Sequence, residues 1–153
     1  VKKWILGLLV IAGLSVASAQ GRTFGEALMG ELTITPAFAI RLDLAAGIER
    51  LLGPLDVRGE VSIGAGGGTS EFGVGADVLY PLPLESVWLN LGGGLGFDSV
   101  GGAAIFGLRG IAGAEFPVTT AFSLRTELRL ILGFGNGGSN VGLSLVAGPR
   151  VYF

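Results

Sequence analysis

The feature that most constrains this chain is a two-residue alternation of side-chain character. From Phe122 the even positions read Phe122, Leu124, Thr126, Leu128, Leu130, Leu132 and Phe134, while the positions between them include Ser123, Arg125, Glu127, Arg129 and Ile131. A period of two puts each set on its own face of an extended strand, apolar on one side and charged on the other. The pattern recurs in Phe38–Ile48, Leu55–Ala65, Phe72–Tyr80, Val87–Phe97, Ala104–Phe116 and Val141–Phe153. Leu28, Leu32 and Ile34 form a further run whose parity continues into Phe38. It is either a separate first strand or the start of one long strand; taken as separate, it makes eight.

The connections fall into two alternating kinds. Gly66–Ser70, Asp98–Gly102 and Gly135–Asn140 are glycine-rich and polar, whereas Leu52–Pro54, Pro81–Leu84 and Pro117–Thr120 carry proline. Alternating loop chemistry predicts up-and-down hairpins with each kind of loop at its own end. Thr35-Pro36 breaks that rule.

Composition decides which face meets which solvent. Half of the 153 residues are apolar, 29 are glycine and 14% are charged. A water-soluble domain displays many more charges on its surface, so the apolar face is expected to meet lipid and the charged face to turn inward. In hydrocarbon every backbone donor and acceptor must be paired within the protein, and a closed sheet does this without leaving an edge. The predicted fold is therefore all-β, an eight-stranded antiparallel up-and-down transmembrane β-barrel. A barrel of that size is filled by its own side chains.

The expected interior network comprises Arg41, Asp43, Arg58, Glu60, Asp77, Arg109, Arg125, Glu127 and Arg129. Charges in a dry interior must be paired. Hairpin geometry sets Arg109 opposite the Glu127 region and Glu60 near Asp77. Gly73, Gly75, Gly92, Gly94 and Gly107 keep the lumen narrow enough for arginines to cross. The aromatics sort by strand end: Phe38, Phe72, Phe97, Phe106 and Phe134 near the glycine-rich loops, and Tyr80, Trp88, Phe116, Phe122, Tyr152 and Phe153 near the proline loops. Two such belts suit rings that settle at headgroup level.

The chain opens with Lys2 and Lys3, an apolar run from Trp4 to Val16, and Ala17-Ser18-Ala19. This predicts a signal peptide over residues 1–19, cleaved before Gln20, and a barrel over 20–153. As an uncleaved anchor the run falls short of the ~20 residues a spanning helix needs. With the lysines removed, eight arginines face twelve acids, a poor balance for nucleic-acid binding. The sequence has no cysteine and no histidine. Disulfides are therefore excluded, as is histidine-based catalysis, and metal ligation is disfavoured. Neither cofactor nor enzymatic activity is expected. Glu60 and Asp77 could pair for acid–base work, but beside arginines they read more simply as part of a plug. Glu71 and Asp98 read as loop acids too sparse for a calcium cage. Gly66-Gly67-Gly68 is followed by neither lysine nor helix, so it reads as a turn rather than a phosphate cradle.

The signal sequence, alternating strands of ~10 residues, short turns and C-terminal Leu145, Ala147, Val151 and Phe153 resemble the small outer-membrane barrels of the transmembrane OmpA, OmpX and OmpW type. That resemblance covers the whole mature chain and speaks to compartment rather than activity. It implies a monomer in bacterial outer-membrane lipid. It also implies that Leu145, Val151 and Phe153 form the signal read by the barrel-assembly machinery, although Pro149 takes an apolar alternate position and Val151 stands where an aromatic is common. The expected role is structural, supporting envelope integrity with a lumen plugged by charge. A narrow channel for small solutes or ions is the alternative, and a surface-binding barrel using its glycine-rich loops is a third.

Overall fold

The computed structural model describes residues 21–34, 37–135 and 137–153, and only the backbone of residues 32–34 and 37–38. The expected signal peptide, its cleavage point before Gln20, the Thr35-Pro36 turn and the ring of Phe38 lie outside the described residues.

Eight strands follow in order: β1 (Thr23–Ile34), β2 (Ala37–Leu52), β3 (Leu55–Gly66), β4 (Thr69–Leu84), β5 (Val87–Val100), β6 (Ala103–Pro117), β7 (Phe122–Gly135) and β8 (Gly138–Tyr152). Each pairs antiparallel with the next, and β1 pairs with β8 to close the barrel. The first run is thus a strand of its own. The alternation read in β7 holds: Ser123, Arg125, Glu127, Arg129 and Ile131 are buried, and Leu124, Leu128, Leu130, Leu132 and Phe134 are exposed. Around the barrel the outer surface is aliphatic, with Ile40 61% exposed and Leu145 58%. An apolar surface this extensive suits hydrocarbon and would drive aggregation in water.

Several sequence readings change. Leu28 is wholly buried, with Phe24 and Glu26 on the same inner face of β1. The lumen is therefore not purely polar, because Phe24, Leu28, Leu79, Ile111, Ile131 and Val146 fill space between the charges. Ile48, assigned to the lipid face, is 1% exposed. It adjoins a bulge in β2, where the register with β3 shifts and Arg50 takes a φ of 55°.

The glycine-rich loops are shorter than their sequences suggest. Gly66 pairs with Thr69 and Val100 with Ala103, so Gly67-Gly68 and Gly101-Gly102 alone turn the chain, all at positive φ. This is the backbone that two-residue hairpins require. Glu71 and Asp98 consequently belong to strands and point inward. Pro81 and Pro83 lie within β4, opposite Asn90 and Trp88 of β5, and the turn is made by Glu85-Ser86 instead. Pairing of β4 with β3 extends only as far as Leu79, so prolines beyond it need not donate on that side.

Candidate functional site: the ion-pair network of the lumen

Six arginines, Arg41, Arg58, Arg109, Arg125, Arg129 and Arg150, are buried inside the barrel, among the carboxylates of Glu26, Asp43, Glu60, Glu71, Asp77, Asp98, Glu115 and Glu127. Burying an ion costs several kcal/mol unless close partners offset it. All nine anticipated members lie in this network.

Arg58 is its hub. Its Nε donates to Asp77 on β4 at 2.9 Å, Nη1 donates to Glu26 on β1 at 2.7 Å, and Nη1 and Nη2 grip both Glu127 oxygens on β7 at 2.6 and 2.7 Å. One guanidinium thus ties together β3, where it originates, and three other strands. Around it Arg129 bridges Glu127 at 2.9 Å and Asp43 at 2.7 Å. Arg109 bonds Glu60 and the Leu95 carbonyl and lies 3.3 Å from Asp77. Glu60 and Asp77 are therefore neighbours sharing an arginine. Arg109 itself stands opposite Ile131 rather than Glu127, which faces Gly113. The sequence reading missed by four positions because the connection from β6 to β7 is longer than a tight hairpin.

Toward the proline end, Arg150 donates to Glu26 at 2.5 Å and to Glu115 at 2.9 Å, and Arg125 donates to Glu127 at 2.5 Å. Ser123 and Tyr152 hydroxyls both donate to Glu115. The Arg150 guanidinium sits 4.0 Å from the centroid of Phe24. At the glycine end, Arg41 donates to Asp43 at 2.5 Å and Glu71 at 2.7 Å, reaches Glu60 at 3.3 Å and lies 3.6 Å from Asp98.

The sequence reading omitted Glu26, Glu71, Asp98, Glu115 and Arg150. Each sits on the inward parity of its strand, and extending the alternation to the strand ends would have found all but Glu26, whose face was assigned from Leu28. Inward glycines make room for charged heads more than they narrow the lumen. A Cβ at Gly75 would strike the Arg109 guanidinium, and one at Gly94 the Asp77 carboxylate.

The proline end holds two cavities, of about 350 and 210 Å³, both lined by Arg22 and Trp88. The Arg22 side chain is 49% exposed: it donates to Glu49 at 2.9 Å and to the Thr120 carbonyl at 3.0 Å, and lies over the Tyr152 ring. The Glu49 carboxylate raises the Arg22 pKa above its ordinary value. Trp88 lies on the inward parity of β5, opposite Glu115, and Tyr152 bonds Glu115, so neither ring belongs to the outer belt. The other belt aromatics whose rings are described do stand outside. Phe97, Phe106 and Phe134 are paired across neighbouring strands near the glycine end, with Phe72 on the outer face of β4. Tyr80, Phe116 and Phe122 lie on outer-face positions toward the proline end, Phe122 opposite Val151. Leu145, Val151 and Phe153 are exposed beside the β1–β8 seam, where the Phe153 N–H donates to the Thr23 carbonyl at 2.9 Å.

No family model and no curated protein matches the chain. Its fold does match solved structures. Neisserial surface protein A aligns with a TM-score of 0.67 at 20% identity, over 87% of this chain and 97% of that one. A major outer membrane protein from Thermus thermophilus gives 0.59 at 18%, over 88% and 100%. The outer membrane enzyme PagL gives 0.55 at 14%, over 85% and 99%. The likeness is one of fold, that of the small outer-membrane β-barrels.

Proposed function

We propose that the protein is an integral outer-membrane barrel with a structural, envelope-integrity role, its lumen plugged by the arginine–carboxylate network and without enzymatic activity. The observation that carries this reading is Arg58, which crosses from β3 to Glu26, Asp77 and Glu127 and fills the middle of the barrel. Eight strands leave width for side chains rather than for a water column. The aliphatic exterior and the fold shared with outer-membrane barrels support the location.

Planar-bilayer recordings test the plug. The purified chain is expected to conduct little or nothing. A steady, ion-selective conductance from a single chain would replace this reading with the narrow channel, and the same arginines would become its filter.

Fractionation tests the location. The protein is expected in outer-membrane fractions, starting at Gln20 on N-terminal sequencing, and to assemble through the machinery that reads Leu145, Val151 and Phe153. A monomeric form in the soluble periplasm, stable without detergent, would overturn it.

A further inference from the structure

We propose that the glycine end of the lumen binds a hard inorganic cation, held with part of its water shell between Glu71, Asp98 and Ser62. Charge is balanced elsewhere among the ion-paired groups, while Asp56, buried at the proline end, accepts the Arg50 N–H at 2.9 Å. Toward the proline end Arg125 and Arg150 meet Glu26 and Glu115, and in the middle Arg58, Arg109 and Arg129 meet Glu60, Asp77 and Glu127. At the glycine end Arg41 faces Asp43, Glu71 and Asp98, and of these Asp43 also has Arg129 at 2.7 Å, whereas Glu71 and Asp98 have no second arginine among the described residues. Its Nε is occupied by Asp43 and its Nη2 by Glu60, which leaves Nη1 to serve Glu71 at 2.7 Å and Asp98 at 3.6 Å. Two carboxylates are surplus.

The second observation is a buried hydroxyl without a partner. Ser62 is 1% exposed and, among the described residues, its Oγ has no hydrogen-bond partner. Ser62 and Asp98 lie on either side of Gly73 across the sheet, and a Cβ on Gly73 would strike both Ser62 Oγ and Asp98 Oδ1. The two oxygens thus overhang the same α-carbon. Glu71 lies two residues earlier on β4; its Oε2 is buried with no partner among the described residues and overhangs Gly64. What this end lacks is positive charge and donors, which a cation and its waters supply. Oxygen ligands select hard cations, which commonly retain water. Among the described residues no three carboxylates converge closely enough to strip a metal ion, so the ion keeps part of its shell. The inference does not depend on whether the lumen conducts.

The test is unfolding by urea in detergent at about pH 8, where carboxylates are ionised, followed by tryptophan fluorescence. Calcium chloride is compared with choline chloride at matched ionic strength. Calcium is expected to raise the wild-type midpoint in a saturable way beyond the effect of choline. The Glu71→Gln/Asp98→Asn variant should lose that increment and should be more resistant than wild type without calcium. Ser62→Ala, a small change at an unpartnered hydroxyl, should shift saturation to higher calcium, and it decides the matter if the double variant does not fold. Equal effects of calcium and choline, a double variant that keeps the increment, or a calcium response unchanged in Ser62→Ala would each overturn the site.

Discussion

Arg58→Ala is expected to destabilise the barrel by about 3–5 kcal/mol, the scale for breaking a buried ion pair from one side. Arg58 is 1% exposed, and its guanidinium donates to three carboxylates on three other strands. Its removal leaves Glu127 with Arg125 and Arg129, Asp77 with only the more distant Arg109, and Glu26 with Arg150 and a long contact to Arg125. Arg109→Ala should cost less, because Glu60 keeps Arg41 and Arg129. Equilibrium unfolding in lipid or detergent measures both. Adding Asp77→Asn to Arg58→Ala should recover part of the loss, since Asp77 is the carboxylate left with only the more distant Arg109. A loss below about 1 kcal/mol, the scale of exposed pairs, would mean that water penetrates the lumen and screens the network.

Leu128→Arg should cost about 2–4 kcal/mol, the scale for a basic side chain near the midplane of a membrane barrel. Leu128 is 46% exposed in the middle of β7, with Ala112 and Leu145 beside it on neighbouring strands. Its sequence neighbours Glu127 and Arg129 point the opposite way. Gly110→Ala is the matched control, because a Cβ there meets nothing within 4 Å. Lipid-refolding titrations that rank the two substitutions equally would place Leu128 away from hydrocarbon.

The regular strands were legible because two solvents of opposite character leave opposite marks on a period of two. Arg125, Glu127 and Arg129 could be assigned to the lumen from sequence because they alternate with the largely apolar face of Leu124, Thr126, Leu128 and Leu130. β1 was misread because its inner face carries Phe24 and Leu28 as well as Glu26. An apolar residue in a small barrel can pack inside, and hydropathy alone cannot assign it a side. Trp88 and Tyr152 were assigned by height, which composition reveals, whereas their side of the wall depends on parity. Glu71 and Asp98 were hidden in stretches rich in glycine, where turn chemistry outweighed strand periodicity until Gly67-Gly68 and Gly101-Gly102 proved sufficient to turn the chain. The partners of each arginine were beyond the sequence, since they depend on how the closed sheet brings distant strands across the lumen.

The spans bridged by the network also bear on how fast the protein comes apart. Short connections between successive strands let hairpins form from neighbouring chain, but Arg129 meets Asp43 from 86 positions away and Arg150 meets Glu26 from 124. The Arg150–Glu26 contact must wait for β1 to meet β8. Until then these charges keep their hydration in the open sheet, so their dehydration and their pairing fall together at the final step. Interactions made after the rate-limiting barrier leave folding speed nearly untouched and slow the reverse reaction. Where seam closure follows that barrier, the network acts as a latch and gives the barrel a kinetic persistence distinct from equilibrium stability.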